Sequence, residues 1–521
     1  MRLIGATGLL LGLLAAAGEI LHIEFPTARW FFSTSREVPW LHVSQGGFPW
    51  FGWLGVAILV ACGGWMLVRS FTRGPRNPIT ERRIRRFREI KRGYYSLIIL
   101  LSLVGLASLD QVVVGKRALA VQYQGRWVFP AFLQFDLKNK DFGVTGESPD
   151  APVNYRKLKN SLRDGGQGKV IMPLIPYDPT GDTLPPRSVA LVQREDVYCE
   201  SGSRKPFFGL AARYYDVDGA RIHIRFTLRK GVLSGPADGW GQDGMPVYSA
   251  DYRDGKLVSD RYNGNGTKEE FLAIASSDMR AVKYHPAPPM PGEGNWLGTT
   301  SQGYDVLAYL YGGMQVNFKA AVIYLPIVYL IGLTLGMMMG YFGGWFDLAM
   351  QRVIEIFSNM PFLFVVIIFS SMVPEQFKGL PVILTILVAF GWMGMTFLMR
   401  TAAYRDKERD YIAAARVLGA GTPRILFRHL FPNTIAIIVT LVPFTMSGLI
   451  FALTSLDYLG FGLPPEYATW GRLLNDGLAN LSAPWLVTST FAVLVGLLVI
   501  ITFIGEAVRE AFDPKKFTYY R

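Results

Sequence analysis

Long apolar runs alternate with polar stretches along this chain, and the runs have the length that a membrane-spanning helix needs. Each run holds roughly 20 residues, which matches the thickness of the hydrocarbon core of a bilayer. Half of the 521 residues are hydrophobic, a fraction that soluble domains seldom reach. The pattern therefore predicts a polytopic membrane protein with helical spans. The predicted spans are residues 3–21, 50–68, 94–114, 318–341, 354–373, 381–399, 434–454 and 484–504.

The first apolar run, Leu3–Leu21, has two interpretations. It is apolar apart from Glu19, so it suits a retained membrane helix. It also suits a signal peptide, with Ala15–Ala17 as the cleavage site. Arg2 alone is a weak basic flank for a signal peptide, and this favours the retained helix.

The net charge of +13 has its densest basic stretch at Arg69–Arg92, where ten Lys/Arg stand against two acids. Nucleic-acid binding is one interpretation of such a patch. Because the stretch lies directly between two apolar runs, the positive-inside rule explains it better and places it in the cytoplasm. Counting spans from Arg92 puts the loop Arg405–Arg428 and the C-terminus in the cytoplasm as well. That loop agrees, with six Lys/Arg against three acids.

A polar region of roughly 200 residues follows the third span, and its length predicts a domain rather than a loop. Residues Arg221–Phe226 alternate polar and apolar, which is typical of a strand. Asp218-Gly219 and Asp254-Gly255 are hairpin turn signals. Glu269–Ala275 is predicted to form a short helix. These features predict a small β-rich module inserted at about residues 188–293.

One polar segment between two late spans, Asp410–Asn433, has the pattern of a folded knuckle. It opens with an alanine-rich stretch of strong helix formers. Gly419 and Gly421 are predicted to end that helix, since glycine accepts the left-handed turn found at helix ends. Thr422 is predicted to cap a second helix, which Pro432 closes. The result is a helix-turn-helix on the cytoplasmic side, shaped to dock into another protein.

The knuckle resembles the coupling loop, or EAA motif, of type I ABC-importer permeases. That pattern has Glu-Ala-Ala, then Gly, Ile, His and Pro-Asn at fixed offsets, and only the first position departs from it, with Ala413 in place of Glu. Asp410 is a further candidate for a charged contact, with a solvated charge as the alternative. The resemblance implies an ATPase-coupling site whose other residues are Ala414, Ala415, Gly419, Ile425, His429, Pro432 and Asn433.

The resemblance extends to three other segments of the oligopeptide and dipeptide group of these permeases. Asn295–Gly313 resembles the entry to the core, although Thr300 stands where the family usually has Asp. Gly343–Pro361 resembles the turn into the next helix, and Ser455–Gly477 resembles the outer loop. The terminal FIGEAVREAFDPKK and the early RRFREIKRGYYSL are similar to a narrower set, the Yej-type permeases of microcin C and oligopeptide importers.

The resemblance implies an all-α polytopic membrane protein. Its type I permease core has six helices, with two extra N-terminal helices and an inserted β-rich extracytoplasmic domain. The expected location is the bacterial inner membrane, with both termini in the cytoplasm. The implied partners are ABC ATPase subunits, a second homologous permease, a periplasmic solute-binding protein and the lipid bilayer, with no nucleic acid and no cofactor. The implied cargo is an oligopeptide or peptide-like compound.

These expectations divide the chain into five parts. The parts are 1–75 with two N-terminal spans; 76–114 with a basic cytoplasmic segment and the first core span; 115–316 as a periplasmic domain; 317–508 with five core spans and the coupling loop at 401–433; and 509–521 as a cytoplasmic tail.

Few ionisable residues lie in or beside the apolar runs, and two pairs among them are predicted to pair structurally rather than to contact the substrate. Arg352 and Glu355 stand one helical turn apart, and Glu506 and Arg509 have the same spacing. The glycines of the fourth span, Gly332–Gly340 at four-residue spacing, suit close helix packing. The same small residues are also interpreted as part of the transport pathway's lining.

Several kinds of chemistry are excluded because the sequence motifs that they require are absent. The chain has no Gly-x4-Gly-Lys-Ser/Thr, so ATP must be hydrolysed by a partner chain. The polar region has no Gly-x-Ser-x-Gly and no Ser-x-x-Lys, and its histidines, His223 and His285, are isolated. Asp216–Gly219 resembles the start of a calcium loop but lacks the distal Glu. Cys62 and Cys199 are expected in different phases, which argues against a disulfide.

Two other functions compete with the transport subunit. A membrane-anchored enzyme would have its catalytic part at about 115–316, where no catalytic pattern is found. A binding or docking module within an envelope complex would use residues 188–293, whose aromatic residues suit an interface. The same aromatic residues also suit the module's own small core, which is the favoured interpretation. They are Tyr214, Tyr215, Trp240, Tyr248, Tyr252 and Tyr262.

Overall fold

The fold is taken from a computed structural model, and it divides the chain into two compact units. The helical unit comprises Met1–Asp182, Leu307–Ala479 and Leu486–Arg521, and the sheet unit comprises Thr183–Val306 with Asn480–Trp485. The structure describes residues 2–21, 23, 50–72, 78–133, 135–143, 148–165, 168–184, 188–194, 197–200, 206–207, 209–215, 221–273, 279–282, 286–289, 295–374, 377–481 and 483–512.

The helices follow the apolar runs and continue beyond most of them. A π-helical turn, Ile425–Leu430, joins two of these helices. The helices are α1 (Arg2–Leu21), α2 (Trp50–Thr72), α3 (Pro78–Glu89), α4 (Lys91–Ser108), α5 (Tyr155–Gly165), α6 (Lys268–Ala273), α7 (Val306–Phe342), α8 (Gly344–Ser358), α9 (Phe362–Met372), α10 (Leu380–Gly391), α11 (Met393–Lys407), α12 (Asp410–Val417), α13 (Thr422–Arg424), α14 (Phe431–Tyr458), α15 (Trp470–Ala479) and α16 (Pro484–Phe512).

Five helical stretches in the described part of the chain are long and apolar enough to cross a membrane. The number rises to seven if two bent pairs, α3 with α4 and α8 with α9, each count as one span. Gly5–Leu21 is a shorter apolar helix. All eight predicted runs overlap these helices, so the expected helical polytopic architecture is confirmed. The five stretches are Gly52–Arg69, Val306–Phe342, Leu380–Lys407, Thr422–Tyr458 and Pro484–Phe512.

Glycines let α7 and α11 approach each other closely. A Cβ atom at Gly336 would lie 2.5 Å from the carbonyl oxygen of Thr396 and 2.7 Å from the Cβ of Met399. Gly332 and Gly340 contact the same helix in the same way. The predicted close packing at four-residue spacing is therefore confirmed. The interpretation of these glycines as pathway lining is wrong, because their open faces are filled by α11.

The core of the helical unit continues from the spans into the knuckle. One cluster of buried apolar side chains holds Met337 of α7, Leu384 of α10 and Met399 of α11. The same cluster includes Ile412 and Ile425 of the knuckle. The burial of these side chains in a single cluster ties the knuckle to the ends of the spans.

A small three-stranded sheet also belongs to the helical unit. Its strands are β1 (Ala120–Tyr123), β2 (Arg126–Val128) and β3 (Gly168–Ile171), in the antiparallel order β2-β1-β3. The helix α5 lies between β2 and β3 in the chain, and its Leu158 and Leu162 are buried with Val121 and Val170 of the sheet. The polar region is thus divided between the two units, with its first part in the helical unit.

The sheet unit contains one eight-stranded antiparallel sheet, which confirms the predicted β-rich insert. Asp254 and Gly255 join β9 to β10 with φ angles of 47° and 84°, as the hairpin signal predicts. Asp216–Gly219 and His285 lie outside the described residues. The strand order is β10-β9-β8-β7-β6-β11-β4-β5, with β4 (Ser188–Arg194), β5 (Val197–Glu200), β6 (Gly209–Tyr214), β7 (Ile222–Arg229), β8 (Val232–Trp240), β9 (Pro246–Arg253), β10 (Lys256–Tyr262) and β11 (Arg280–Val282).

Aromatic side chains fill the core of the sheet unit. Tyr214 and Tyr248 are buried. Tyr248 belongs to the unit's cluster of buried hydrophobic residues, and Tyr252 and Tyr262 pack against that cluster. Their burial favours a role in the unit's own core over a role in an interface. The isolated His223 is also buried here, with its ring 4.4 Å from that of Phe271, centroid to centroid.

Candidate functional site

The first helix of the knuckle ends where the sequence predicts. α12 begins at Asp410, and its last turn is closed by the N–H of Gly419, which donates to the carbonyl of Arg416 over 2.9 Å. Gly419 has a φ of +79°, a left-handed conformation that glycine adopts without steric cost. Gly421 is extended, with a φ of −68° and a ψ of 159°. It therefore begins the next helix rather than ending the first.

The second half of the knuckle differs from the prediction. Gly421 occupies the N-cap position of α13, and Thr422 is already helical, so the predicted Thr422 cap is wrong. Pro432 does not end a helix either, because the π turn Ile425–Leu430 carries the chain directly into α14. A proline lacks the N–H of a regular α turn and clashes with the carbonyl four residues back. The wider π turn accommodates it.

The knuckle has one buried face and one exposed tip. Ile412, Ile425 and Leu430 are at most 1% exposed. At the tip, Val417 and Leu418 are 88% and 86% exposed. Large apolar side chains that protrude into water from a fixed base are typical of an interaction site.

The predicted site residues divide between these two faces. Ala415 and Ile425 are buried, and His429 is partly buried. The amide Nδ2 of Asn433 donates to the hydroxyl of Tyr411 over 2.9 Å and to the carbonyl of His429 over 3.1 Å. Asn433 therefore fastens the start of α14 to the start of α12. The exposed predicted residues are Asp410, Ala414, Gly419, Pro432 and Asn433.

Asp406 fixes the entry to the knuckle and was not among the predicted site residues. Its side chain is 3% exposed, and its Oδ1 accepts from the Nε of Arg405 over 3.0 Å and from the Nε of Arg409 over 3.1 Å. Arg409 is the N-cap residue of α12. The buried carboxylate therefore holds the angle between α11 and α12. An acid flanked by arginines at positions 405 and 409, just before the knuckle, is the sequence signal that would have found it.

A second buried carboxylate, Asp347, joins α8 to α11. Arg400 donates to both of its oxygens, from Nε over 2.5 Å and from Nη2 over 2.6 Å, and the hydroxyl of Tyr404 donates over 2.7 Å. The guanidinium Cζ of Arg416 lies 5.1 Å from the ring centre of Tyr341, which connects α12 to α7. The Arg416 contact therefore links the knuckle to α7, and Asp347 links α8 to α11, the helix that leads into the knuckle.

Of the two predicted charged pairs, one is present and the other is not. Arg352 donates from Nη1 to Glu355 Oε2 over 2.6 Å, which confirms that pair. Glu506 lies 3.7 Å from Arg92 of α4, measured from Oε2 to Nη1, and Glu510 lies 3.8 Å from the same guanidinium. The pairing of Glu506 with Arg509 is therefore wrong, since the nearby α4 supplies the partner.

The loop between α14 and α15 is held rigidly at the other end of the helical unit. The guanidinium of Arg472 donates to the carbonyls of Leu463 over 2.5 Å and Tyr467 over 3.0 Å. The Oδ1 of Asp457 accepts from the backbone N–H of Leu463 over 2.7 Å. The indole Nε1 of Trp470 donates to the carbonyl of Leu310 in α7 over 2.9 Å.

The chain is thus a multi-pass helical membrane protein, in which apolar spans are joined by a polar knuckle with a protruding apolar tip. Within that class, residues 332–518 match the family model described as the inner membrane component of binding-protein-dependent transport systems. The chain is 31% identical over 440 residues to the inner membrane ABC transporter permease protein YejE of Escherichia coli K12, covering 84% of this chain and 98% of that one. The chain therefore belongs to the family of ABC transporter permeases.

Two further relatives, both named permeases, support the same family. The peptidoglycan transport system permease protein YejE of Agrobacterium fabrum is 42% identical over 225 residues, which are 43% of this chain and 58% of that relative. The oligopeptide transport system permease protein OppC of Mycobacterium bovis is 33% identical, over 43% of this chain and 77% of its own. Among solved structures, a chain of the inward-facing MetNI methionine ABC transporter matches 39% of this chain and 96% of its own, with 18% identity and a TM-score of 0.34.

Proposed function

We propose that the chain is the permease subunit of an ATP-driven importer of oligopeptides or peptide-like compounds. The main support is the likeness to the E. coli relative, which is named a permease of an ABC transporter and is matched over 98% of its length. The names of two further relatives include peptidoglycan and oligopeptide transport, which supports a peptide-like cargo.

In this proposal the knuckle, Asp410–Asn433, seats on an ATPase chain and passes its movement to the spans. The tip residues Val417 and Leu418 enter a groove on the ATPase. Ile412 and Ile425 share one buried cluster with the spans, so a push on the tip moves α11 and α14 as packed bodies. Rigid-body movement of packed elements is a common way to turn a local change into a two-state switch.

The partners follow from the same assignment. They are ABC ATPase subunits below the membrane, a second homologous permease beside the chain, and a periplasmic solute-binding protein above it. The bilayer is the bacterial inner membrane, and both termini lie in the cytoplasm. The basic stretch Arg69–Arg92 and the excess of Lys/Arg in Arg405–Arg428 support this orientation.

The test places a charge at the exposed tip. Leu418→Asp puts a carboxylate where the proposal requires an apolar contact, so the ATPase chain should no longer co-purify and ATP-driven uptake into vesicles should fall at least tenfold. Leu174→Asp is the matched control, because Leu174 is 80% exposed, against 86% for Leu418, and lies in the polar region assigned to the outer side. It should leave both measurements unchanged.

Two results would contradict the coupling role. Normal co-purification and uptake with Leu418→Asp would show that the tip is not the ATPase contact. Equal losses with Leu418→Asp and Leu174→Asp would show that the charge acts on folding in general. The thermal midpoint of each purified variant distinguishes a general folding defect from a lost ATPase contact. A fully exposed leucine contributes little to stability, so neither midpoint should fall.

A further inference from the structure

The small sheet of the helical unit has one face that points away from its own core. Successive residues of a strand point to opposite faces of a sheet, and residues paired across two strands share a face. Val121 of β1 pairs with Val170 of β3, and both are buried together with the leucines of α5. The rows of side chains on either side of this pair therefore lie on the opposite face, away from α5.

Four side chains make up this outward face, and three of them are apolar: Trp127, Phe129, Lys169 and Ile171. Trp127 and Lys169 pair with the same residue of β1, Gln122, from its two sides. Phe129 stands two residues after Trp127, and Ile171 two residues after Lys169, so all four share the face. Trp127, Phe129 and Ile171 are 49%, 51% and 40% exposed. Large apolar side chains clustered on an exposed face are typical of an interaction surface.

The end of α1 fixes the height of the outward face relative to the membrane. α1 has 20 residues, so it is about 30 Å long and just spans the hydrocarbon core of a bilayer. Ile23, two residues after α1, forms an isolated antiparallel bridge with Leu133. One turn of 3-10 helix separates Leu133 from Phe129, and within it the N–H of Phe132 donates to the carbonyl of Phe129 over 3.1 Å. Phe129 therefore lies close to the point where α1 leaves the apolar layer.

The end of α4 gives a second fixed point. α4 ends at Ser108, and the chain that follows pairs with the segment after β3. The N–H of Gly115 donates to the carbonyl of Ile175 over 3.1 Å, and the N–H of Ile175 donates to the carbonyl of Val113 over 2.9 Å. Ile175 stands four residues after Ile171 of the outward face. With the orientation proposed above, the sheet is held between the outer ends of two spans, at the level of the lipid headgroups.

Both helix ends carry apolar side chains that suit contact with lipid. Ile20 and Leu21 in the last turn of α1 are exposed, and so is Leu109, the residue that follows α4. The bridge at Ile23 brings this apolar surface directly to the sheet. The outward face therefore continues the surface that the spans present to the bilayer.

We propose that the outward face lies on the outer leaflet of the membrane, with Trp127, Phe129 and Ile171 between the headgroups and the acyl chains. Tryptophan is enriched at this depth because its ring is apolar while its N–H still reaches a polar partner. The ammonium group of Lys169 extends to a lipid phosphate, as a long basic side chain at an interface can. The contact fastens the first part of the polar region to the bilayer. It depends on the placement of the spans and not on the cargo or the ATPase.

The experiment uses the full chain in vesicles of phosphatidylcholine and phosphatidylglycerol. Cys62→Ala and Cys199→Ala remove the native thiols. One new cysteine then carries a nitroxide spin label, at Ile171→Cys or, as a second site on the same face, at Phe129→Cys. Electron paramagnetic resonance compares collisions of the label with oxygen, which concentrates in lipid, and with a nickel chelate, which stays in water.

The matched control is Asn160→Cys, because Asn160 is exposed on α5, on the other side of the sheet. The ratio of oxygen to nickel collisions should be at least about threefold higher at positions 129 and 171 than at position 160, since an interfacial apolar face inserts to the boundary of the acyl chains. Two labelled sites keep the test decisive if one variant does not fold.

A charge on the face tests the lipid contact separately. Phe129→Asp, made in the Ile171→Cys chain, places a carboxylate where burial in lipid is costly, so the label should lose its preference for oxygen. Asn160→Asp in the same chain should leave the preference unchanged. If Phe129→Asp does not fold, Lys169→Glu gives the same comparison at an exposed position, because it repels the lipid phosphates.

Two results would overturn the assignment. Labels at positions 129 and 171 that meet the nickel chelate as often as the label at position 160 would place the outward face in water. Labels protected from both reagents would place it against protein. Protection that appears only when the ATPase, second permease and binding protein are present would assign the face to one of those subunits instead of the bilayer.

Discussion

The left-handed backbone at Gly419 is the residue-scale feature on which the shape of the knuckle depends. Gly419 and Gly421 are both exposed, and a Cβ atom at either would meet open space. They differ in φ, which is +79° at Gly419 and −68° at Gly421. Gly419→Val should therefore cost roughly 1–2 kcal/mol of local strain. Gly421→Val keeps a backbone conformation that any residue adopts, so it should cost less and lose only the N-cap preference for glycine over valine.

The measurements are hydrogen exchange of α12 and co-purification of the ATPase chain. We expect faster exchange and weaker co-purification with Gly419→Val, and near wild-type values with Gly421→Val. Because the two glycines stand two residues apart, any effect of added bulk at the tip would appear in both variants. Equal effects would show that bulk, and not backbone conformation, is what the site responds to.

His223 gives a residue-scale prediction about pH. Burial lowers the pKa of His223 below its usual value, and the charge of Arg213 adds to the effect. A histidine with a lowered pKa in the folded state binds fewer protons there than in the unfolded state. The sheet unit should therefore be stable above about pH 6.5, the ordinary histidine value, and lose stability as the pH falls below it.

Hydrogen exchange along β7, corrected for the intrinsic rate, checks this expectation on the whole protein. Protection of β7 should fall between about pH 7.5 and pH 5, while protection of β1 in the other unit stays constant. His223→Phe keeps a ring between Tyr215 and Phe271 and removes the titrating group. The variant should lose the pH dependence. A retained dependence would assign it to another group.

At the scale of elements, the contact between α7 and α11 is sensitive to added volume. Gly336 faces α11 directly, whereas Gly394, within α11, faces open space. Gly336→Leu should force the two helices apart and destabilise the protein by roughly 1–3 kcal/mol. Gly394→Leu places the same side chain on the free face of α11 and should cost far less. Thermal midpoints of the purified variants compare the two, and equal losses would contradict the close contact described here.

The same elements show what the sequence could predict. The helices of the spans follow from runs of apolar residues, because the bilayer leaves the backbone few other ways to satisfy its hydrogen bonds. The end of α12 follows from Gly419, a local signal. The continuation of α13 into α14 does not, since the π turn before Pro432 packs against α11 and α12, and spacing along the chain does not reveal those contacts. Local signals therefore predicted a stop that the tertiary packing overrides.

The residues of the candidate site likewise divide into those that the sequence indicated and those that only the packing of helices brings together. The tip and the fastening by Asn433 fall within the segment that the sequence indicated. Arg400 is 53 residues from Asp347, and Arg92 is more than 400 residues from Glu506. Such partners come together only through the packing of helices, so spacing along the chain cannot find them.

At the scale of the whole molecule, the basic stretch Arg69–Arg92 and the knuckle are expected on the same side of the membrane. The opposite side is expected to hold the sheet unit. Single cysteines test this arrangement after Cys62→Ala and Cys199→Ala have removed the two native thiols. Leu418→Cys reports on the knuckle and Val258→Cys on the sheet unit, at positions that are 86% and 58% exposed.

In intact spheroplasts, a membrane-impermeant maleimide should label Val258→Cys and leave Leu418→Cys unlabelled. In permeabilised spheroplasts that lack the ATPase chain both should react, which shows that the cysteine at position 418 is accessible in itself. Labelling of Leu418→Cys in intact spheroplasts would invert the topology and remove the knuckle from the ATPase. Failure to label Val258→Cys would place the sheet unit in the cytoplasm. Either result would contradict the charge asymmetry at Arg69–Arg92 and Arg405–Arg428, from which the orientation is derived.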